Sequence, residues 1–540
     1  MATPSRRRAA WQVRAALLPV LLAGALTLAA CGGGGTPAQS GQSGQSGTAA
    51  KTLVVDASFT LKTADPGRNY EPTGLIIGKA LYDTLLTFEG SDVTKPVPSL
   101  AESYEQSEDG KVLTLKLRRG ATFSDGSPVT ADDVVFSLNR VRDMKGNPSF
   151  LLDGVQVATT DETTVTLTSK IANPALPFIL PNPALGILNS KVVKANGGTG
   201  DESDKAETYL NGASAGSGPY TLESFNAQSQ VVLTANPKYW GPDKPTYTKV
   251  VLRNVESATQ KLNVQRGDSQ VALDLSGDQI KTVGGDYTKV QTASANVLFL
   301  LANQDTAVSK VTTNPKIVEA IRKGIDYQGL LELAGEGSVQ APGVIPTMLL
   351  GALTPDQAVT RDVEGAKAAV AASGVSSPSV TLEYPSDLTL QGLSFQPIAE
   401  RIQANLKEVG ITVDLAPAPV ATALDNYRNG KEELGLWYWG PDYPDPTDYL
   451  VFLPGKTVGL RAGWKAGADK ELEALGDKAA TTIGDDARKP LYGEIQTRLN
   501  ATGPFVPLIQ PGQNIVTVPS VTGLEFHPVW TVDVAALGAK

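Results

Sequence analysis

The sequence predicts a mixed α/β protein folded in more than one lobe. Strand-like and helix-like patterns alternate along the chain, and its 540 residues, of which 41% are hydrophobic, are enough for two or three domains. No motif recurs at the period of roughly 20–50 residues that marks solenoids and propellers. We therefore expect layered α/β bodies, each with its own core.

The first predicted elements are two strands and a helix. Residues 53–55 form an apolar run, and residues 113–117 alternate leucine with polar side chains, which is typical of a strand with one buried face. Thr130 and Asp133 have the spacing of a capping box, which predicts the start of a helix. The apolar side chains expected on the inner face of that helix are Val134, Leu138 and Val141.

The second half of the chain repeats this alternation. Pro397 suits the first turn of a helix, and Gly410 can end that helix in the left-handed conformation before a strand over 411–415. The apolar stripe expected on this helix consists of Ile398, Ile402, Leu406 and Val409. Two further helices are expected over 314–325 and 362–373. These patterns predict a helix-then-strand unit of a layered sheet domain.

The first 31 residues have the pattern of an export signal. Arginines at four of the first 14 positions precede an apolar stretch over 15–30, and small Ala30 stands before Cys31, the only cysteine. The pattern resembles a bacterial lipoprotein signal, which implies removal of residues 1–30 and a diacylglycerol on the Cys31 thiol. The alternatives are an ordinary secretory signal and a membrane span, although the apolar stretch is shorter than the ~20 residues that a span needs.

Residues 31–50 are expected to form a flexible linker after the lipid, because 32–50 contain only small and polar residue types without an apolar period. Removal of the signal would leave 43 basic residues against 56 acidic ones, which moves the formal net charge from −9 to −13. A nucleic-acid partner is not expected, because phosphate binding depends on clustered Lys and Arg. A single His and a single Cys also argue against a His- or Cys-rich metal site.

Six stretches in the body of the chain carry a family resemblance. They are 97–104, 119–134, 216–220, 236–240, 314–326 and 439–446. In content and order they resemble the family 5 extracytoplasmic solute-binding proteins of ABC importers, the peptide- and nickel-binding group. Because most of these residues have the chemistry of turns and packing, they indicate the fold and leave the ligand open.

The resemblance implies a two-lobed, periplasmic-binding-protein-like α/β fold with an extra subdomain in lobe I. Two lobes joined by crossing strands would close over the solute by a hinge motion. The boundaries expected for lobe I are 51–90, 205–305 and 505–540, with the added subdomain at 91–204 and lobe II at 306–504.

The stretch 436–446, Leu-Trp-Tyr-Trp-Gly-Pro-Asp-Tyr-Pro-Asp-Pro, is the most informative about the ligand class. Three aromatic residues and an acid, broken by Gly and Pro, predict a loop that lines a cleft. In the peptide-binding relatives that the chain resembles, a Trp is followed three positions later by an Asp that pairs with the α-ammonium of the bound peptide. By that resemblance Trp439 and Asp442 form an amino-group clamp, with Tyr438 and Tyr443 as neighbouring aromatic contacts.

The chemistry of these residue types suits an ammonium ligand. A carboxylate that loses water on closure can form charge-assisted hydrogen bonds worth about 1.5–3 kcal/mol with an ammonium, and aromatic faces add cation–π attraction of order 1 kcal/mol. The alternative is that Asp442 is a solvated turn acid, and Asp445 is interpreted as structural. On the opposite lobe the resemblance points to Asn69 and Tyr70 as ligand contacts.

Together these features predict a lipid-anchored receptor on the extracytoplasmic face of the membrane, with no enzymatic activity, metal or cofactor. The resemblance implies a monomer that binds peptides by their free amino terminus and delivers them to an ABC permease with a cytoplasmic ATPase. A nickel chelate, a sugar or another small solute is the alternative within the family. A distant alternative is a serine hydrolase that uses Ser214 in the Gly-x-Ser-x-Gly motif at 212–216 with His527, the only histidine. Against it, a strand-like run follows at 220–222, where a hydrolase elbow needs a helix.

Overall fold

The computed structural model describes residues 51–540. The predicted signal peptide at 1–30, the lipidation residue Cys31 and the linker at 31–50 lie outside the described residues, so they stay predictions. Within 51–540, two large sheets each carry their own helices, and the predicted α/β class is confirmed. No helix in this part of the chain is both long and apolar enough to cross a membrane.

The first lobe is built on a seven-stranded sheet. Its strand Thr52–Ala57 contains the predicted strand at 53–55 and runs parallel to both of its neighbours, whereas the other pairs are antiparallel. In sheet order the strands are Thr288–Ala293, Gly512–Thr517, Val271–Ala272, Thr52–Ala57, Lys249–Asn254, Gln230–Ala235 and Tyr220–Asn226. The helices of this lobe are Pro72–Leu81, Ser190–Ala195, Glu207–Leu210, Ser257–Arg266 and Gly277–Lys281, and a short hairpin pairs Val521–Thr522 with Gly538–Ala539.

The added subdomain has its own antiparallel sheet of four strands. In sheet order these are Ala101–Gln106, Val112–Leu117, Thr164–Ser169 and Val155–Asp161, and a hairpin of Leu86–Glu89 with Asp92–Pro98 precedes them. Its helices are Ala131–Asp143 and Leu176–Ile179, with 3₁₀ turns at Asn147–Leu152 and Pro183–Leu185. The helix predicted after Thr130 is confirmed, because Thr130 and Asp133 form both reciprocal hydrogen bonds of the capping box.

The second lobe is built on a six-stranded sheet. In sheet order its strands are Val339–Gln340, Phe505–Gln510, Val297–Ala302, Leu434–Trp439, Ser379–Pro385 and Thr412–Ala418. Its helices are Pro315–Gly324, Tyr327–Ala334, Val363–Ala372, Phe395–Glu408, Val420–Arg428, Thr457–Arg461, Lys470–Thr481 and Asp485–Thr502, with 3₁₀ turns at Pro355–Gln357 and Pro446–Phe452 and a small hairpin of Thr389–Leu390 with Leu393–Ser394. The helices predicted at 314–325 and 362–373 are confirmed.

The helix-then-strand unit of the second lobe also agrees with its prediction. The helix Phe395–Glu408 has Pro397 in its first turn and buries Ile398, Ile402 and Leu406 completely. Each such side chain contributes about 1.5–3 kcal/mol by leaving water. Gly410 has φ +90°, the left-handed conformation that lets the chain turn into the strand Thr412–Ala418.

The chain crosses between the two sheets at two adjacent places. The first crossing is 294–296 and the second is Pro511, and the Ser294 N–H donates to the Pro511 carbonyl at 2.9 Å. The predicted boundaries at 305 and 504 therefore need correction, since Val297–Ala302 and Phe505–Gln510 already pair within the second sheet. Periodicity could not place these boundaries, because both strands are buried along their whole length and show no alternation of apolar and polar residues.

A fully buried ion cluster joins the start of the first lobe to the added subdomain. Arg140, on the helix Ala131–Asp143, donates two hydrogen bonds to Asp65 at 2.8 and 2.6 Å and two to Asp204 at 2.8 Å. All three side chains are 0% exposed. Arg68 lies at the edge of the cluster, 3.4 Å from Asp65 and 3.5 Å from Asp204.

Glu432, which precedes the strand Leu434–Trp439, should make the free energy of unfolding depend on pH. It is buried, both of its carboxyl oxygens accept from the Trp437 Nε1–H, and burial raises its pKa to about 9. The folded protein therefore keeps a proton on Glu432 that the unfolded chain loses near its ordinary pKa of 4.5, so the free energy of unfolding falls as the pH rises between these values. We expect Glu432→Gln to remove this decline and to stabilise the protein by on the order of 2 kcal/mol at about pH 8.

Urea unfolding at about pH 5 and pH 8 measures this effect. The exposed Glu364→Gln substitution, which should leave the profile unchanged, is the control. Equal pH profiles for the native chain and Glu432→Gln would show that Glu432 is ionised in the folded state.

Candidate functional site

The site is built at the end of the strand Leu434–Trp439. This strand lies inside the second sheet, between Val297–Ala302 and Ser379–Pro385, so its side chains alternate between two covered faces. Trp437 stacks on the ring of Tyr427 at 4.6 Å, whereas the ring of Tyr438 lies 6.4 Å from that of Phe395.

The prediction of a loop over the whole of 436–446 is therefore wrong for its first four residues. Aromatic residues suit a strand as well as a loop, and residues 436–439 pair with Val297–Leu300 of the neighbouring strand. The loop proper begins at Gly440 and ends at the 3₁₀ turn Pro446–Phe452.

The loop is held at the backbone of Asp442. The Asp442 carbonyl accepts from the Tyr70 hydroxyl and from Asn182 Nδ2, each at 3.0 Å. Its N–H donates to the Asp448 carboxylate at 3.1 Å. Because Tyr70 belongs to the first lobe and Asn182 to the added subdomain, the loop connects the second lobe to both of the other parts.

Asp445 and Arg488 anchor the far end of the loop. One terminal nitrogen of Arg488 lies 2.6 and 2.8 Å from the two oxygens of Asp445, and both side chains are 1% exposed. Asp445 also accepts from the Thr447 N–H at 2.9 Å, which caps the 3₁₀ turn. These contacts give Asp445 a structural role.

The carboxyl groups of Asp442 and Asp448 lie together in a buried setting. Burial raises the pKa of Asp442 to about 6. Burial also raises the pKa of Asp448 well above its ordinary value, and the charge of Asp442 raises it further. The Trp439 Nε1–H donates to Asp448 at 3.3 Å, so the predicted clamp residues Trp439 and Asp442 both contact Asp448.

Sequence reasoning did not select Asp448. Its spacing of three residues after Asp445 is typical of the capping chemistry of a turn, which gives no reason to single it out. The Asp448 carboxylate reaches the Asp442 N–H only because the chain reverses direction between these residues and enters the 3₁₀ turn Pro446–Phe452.

The remaining predicted ligand residues lie around this loop. Tyr443 packs against the apolar core of the added subdomain. Asn69 is 3% exposed, and its amide is engaged locally, as Nδ2 donates to the Thr63 carbonyl at 2.8 Å and Oδ1 accepts from the Glu71 N–H at 3.1 Å. Its role as a ligand contact stays a prediction.

A small cavity of about 70 Å³ lies beside the loop. Its lining includes Val93 and Phe178 of the added subdomain, Leu349 of the second lobe and Pro444 of the loop. The lining is mainly apolar, and the volume is enough for a small apolar group.

The geometry at Ser214 does not support a hydrolase. Ser214 lies in a loop between the helix Glu207–Leu210 and the strand Tyr220–Asn226, which is the reverse of the strand-then-helix order that the elbow requires. His527 is buried, its Nδ1 accepts from the Val529 N–H, and its ring stacks on Trp530 at 3.5 Å. Burial lowers the pKa of His527 to about 3.

Comparison with known proteins identifies relatives over most of the chain. The family model described as bacterial extracellular solute-binding proteins, family 5 Middle, matches residues 95–459. The chain is 29% identical over 492 residues to the probable D,D-dipeptide-binding periplasmic protein DdpA of Escherichia coli (strain K12), covering 88% of this chain and 92% of that protein. It is 26% identical over 499 residues to the nickel-binding periplasmic protein of the same strain, covering 86% and 90%.

The fold has close counterparts among solved structures. The periplasmic binding protein DppA from Helicobacter pylori, in complex with the peptide STSA, matches with a TM-score of 0.73 at 22% identity, over 90% of this chain and 98% of that one. At this identity the likeness establishes the fold, which is the two-lobed architecture of periplasmic binding proteins.

Proposed function

The chain belongs to the bacterial extracellular solute-binding proteins of family 5, and we propose that it is a receptor for peptides whose free amino terminus is held by Asp442. Membership of the family makes it an extracytoplasmic substrate-binding protein of an ABC transporter for peptides or related ligands, and its relatives are binding proteins, not enzymes. The finer assignment, an ammonium held by an aspartate, follows from the loop after Trp439.

The observation that carries the proposal is a pair of mostly buried acids without a cation. Among residues 51–540, no Lys, Arg or His nitrogen lies within 4 Å of the carboxyl oxygens of Asp442 or Asp448. A buried carboxylate is costly unless a positive charge or several hydrogen bonds compensate it. An ammonium group of the ligand supplies that positive charge at the boundary between the lobes.

The aromatic residues around the pair position the amine. Trp439 borders the acids through its Nε1–H, and Tyr70 approaches from the first lobe through its hydroxyl. Tyr443 packs on the added subdomain beside the loop, whereas Tyr438 lies on the opposite face of its strand from Trp439, against the core of the second lobe. Asn69 contributes by fixing the backbone of the segment that carries Tyr70, because its amide spans Thr63 and Glu71.

In the same proposal, the small cavity beside Pro444 receives a small side chain of the peptide. The cavity of about 70 Å³ next to Pro444 has an apolar lining and accommodates an alanine-sized or slightly larger group. The relatives include a protein named for D,D-dipeptides and another named for nickel, so the ligand class must be decided by measurement.

In the same proposal the receptor is a monomer tethered by a lipid on Cys31 to the extracytoplasmic face of the membrane. The linker at 31–50 then holds the folded body near a membrane permease, whose cytoplasmic ATPase supplies the energy. The chain presents the ligand and carries out no chemistry.

Calorimetry with three peptides, Ala-Ala, D-Ala-D-Ala and Ala-Ala-Ala, tests the proposal. We expect at least one to bind, and N-acetylation of that peptide to weaken binding by about 30-fold or more, because the buried carboxylate is left without its cation. C-terminal amidation, which keeps the ammonium, is the matched control and should cost less.

Equal binding of the acetylated and free peptides would overturn the proposal. So would tight binding of a nickel–histidine chelate by a protein that binds none of the three peptides.

A further inference from the structure

Asp448 is a buried acid with an unusual set of partners. Asp448 is only 4% exposed, and its Oδ2 accepts hydrogen bonds from the Asp442 N–H and from the Trp439 Nε1–H. Burial raises the pKa of the Asp448 carboxyl well above its ordinary value, and the charge of Asp442 beside it raises this pKa further. Asp448 therefore contacts both residues of the proposed clamp.

The nearby basic residues are already engaged elsewhere. Arg488 is paired with Asp445 and leaves Asp442 and Asp448 uncompensated. The guanidinium of Arg461 lies over the rings of Tyr427 and Trp439, at 4.7 and 5.8 Å from their centroids, and makes no ion pair within 4 Å with a described carboxylate. Three acids thus surround the loop, and the one that has a close guanidinium partner is Asp445.

The other ionisable groups that face the pair are tyrosines. Burial, and after it the charges of Asp442 and Asp448, raise the pKa of Tyr70, Tyr443 and Tyr449 above the ordinary value, so all three stay neutral. The Tyr449 hydroxyl is buried and has no hydrogen-bond partner among the described residues. A neutral hydroxyl can stabilise one negative charge, but it cannot replace a cation.

We propose that Asp448 is the second carboxyl of the amine site, that it shares one proton with Asp442 when the cleft is empty, and that the ammonium of the ligand takes the place of that proton. The exchange balances: one carboxyl O–H bond breaks, its proton passes to solvent, and the ammonium keeps all of its own protons as it pairs with two carboxylates. This inference rests on the proposed function and assigns to it a proton linkage and a second binding residue.

The physical reason is the closeness of the two acids. Two adjacent buried carboxyl groups do not both ionise unless a positive charge joins them, so they titrate as a pair that keeps one proton. A protein lysine or arginine at the same place would compete with the ligand for Asp442, whereas a proton is a small and exchangeable substitute. The directions of the pKa shifts of Asp442 and Asp448 agree with this arrangement.

Calorimetry in two buffers of different protonation enthalpy, at about pH 6.5, measures the protons released on binding. At this pH the peptide amine, with its ordinary pKa near 8, enters already protonated. With the tightest binder among Ala-Ala, D-Ala-D-Ala and Ala-Ala-Ala, we expect release of about half a proton or more per peptide. We also expect the affinity to rise about three- to tenfold between roughly pH 6 and pH 7.5.

Asp448→Asn removes the titrating group and keeps an oxygen that can accept from the Asp442 and Trp439 donors. We expect this variant to bind the peptide with little proton release and a nearly flat pH dependence. Asp83→Asn is the matched control, because Asp83 also accepts from an indole N–H, that of Trp240, but contacts neither Asp442 nor Trp439. It should release as many protons as the native chain.

Infrared spectroscopy of the empty protein gives a readout that does not depend on binding. We expect a protonated carboxyl band at about neutral pH, in excess of the constant contribution of Glu432, and we expect this excess to disappear on addition of peptide and to be weaker in Asp448→Asn but not in Asp83→Asn. No proton release by the native chain, or equal release by the native chain and Asp448→Asn, would overturn the inference. If acetylation still weakens binding in that case, the amine clamp is retained without the shared proton. If none of the peptides binds, the proposed function fails. The infrared band of the empty protein then still decides whether Asp442 and Asp448 share a proton.

Discussion

Asp442→Ala is expected to weaken binding of a free peptide by about 2–4 kcal/mol, a loss of roughly 30- to 1,000-fold in affinity. The substitution leaves the ammonium of the peptide in a mostly buried position without its main carboxylate. The backbone contacts of residue 442 with Tyr70 and Asn182 remain possible, because both use the main-chain carbonyl. The loss should therefore reflect the missing charge, and calorimetry with the free peptide measures it.

Two controls separate the charge of Asp442 from its position. Asp414→Ala removes an exposed carboxylate of the same lobe and should leave the affinity unchanged. The N-acetylated peptide should lose little further affinity on Asp442→Ala, since the ammonium and the carboxylate are lost as one interaction in a double-mutant cycle. A folded Asp442→Ala protein that binds the free peptide as tightly as the native chain would refute the clamp.

Arg140→Met is expected to give the largest loss of stability, about 3–5 kcal/mol. The substitution leaves Asp65 and Asp204 in the interior with only Arg68, more than 3 Å away, as a partial partner. Removal of one member of a buried ion cluster is costly because the charges that remain have lost both their hydrogen bonds and their access to water. Urea unfolding measures the change in the free energy of unfolding.

The control for Arg140 lies on the same helix. Arg142 pairs with its neighbour Asp143 at a half-exposed position, so Arg142→Met should cost less than about 1 kcal/mol. Asp65→Asn with Asp204→Asn in the Arg140→Met background should recover part of the loss, because the uncompensated charges are then absent. Equal stabilities of Arg140→Met and Arg142→Met would contradict this account of the cluster.

The elements that could be predicted from the sequence are those fixed by neighbouring residues. The capping box at Thr130 and the apolar stripe after Pro397 act within a few turns of one helix, so their pattern survives without knowledge of the rest of the fold. The family resemblance carried by the motifs is confirmed, since the family model covers 95–459. The strand at Leu434–Trp439 could not be separated from a loop, because its pairing with Val297–Ala302 connects distant parts of the chain.

The candidate site was predictable to a similar extent. Trp439 and Asp442 could be selected from their spacing and the family resemblance, and the structure brings both onto the Asp448 carboxylate. Asp448 itself, and the contact of Asn182 with the loop, depend on how three separate parts of the fold meet. A pattern over a few neighbouring residues cannot predict contacts between parts of the chain that are distant in sequence.

The bonds that join the lobes at residue 442 end on its carbonyl oxygen, a group that every amino acid possesses. In the proposed clamp, docking of the lobes and choice of ligand are consequently carried by different atoms of the same residue. A variant of this receptor could replace the side chain of residue 442 and bind a different ligand, while the two lobes kept the same contacts with its carbonyl oxygen. Such separation offers a physical reason why one architecture can serve ligands as unlike as dipeptides and nickel.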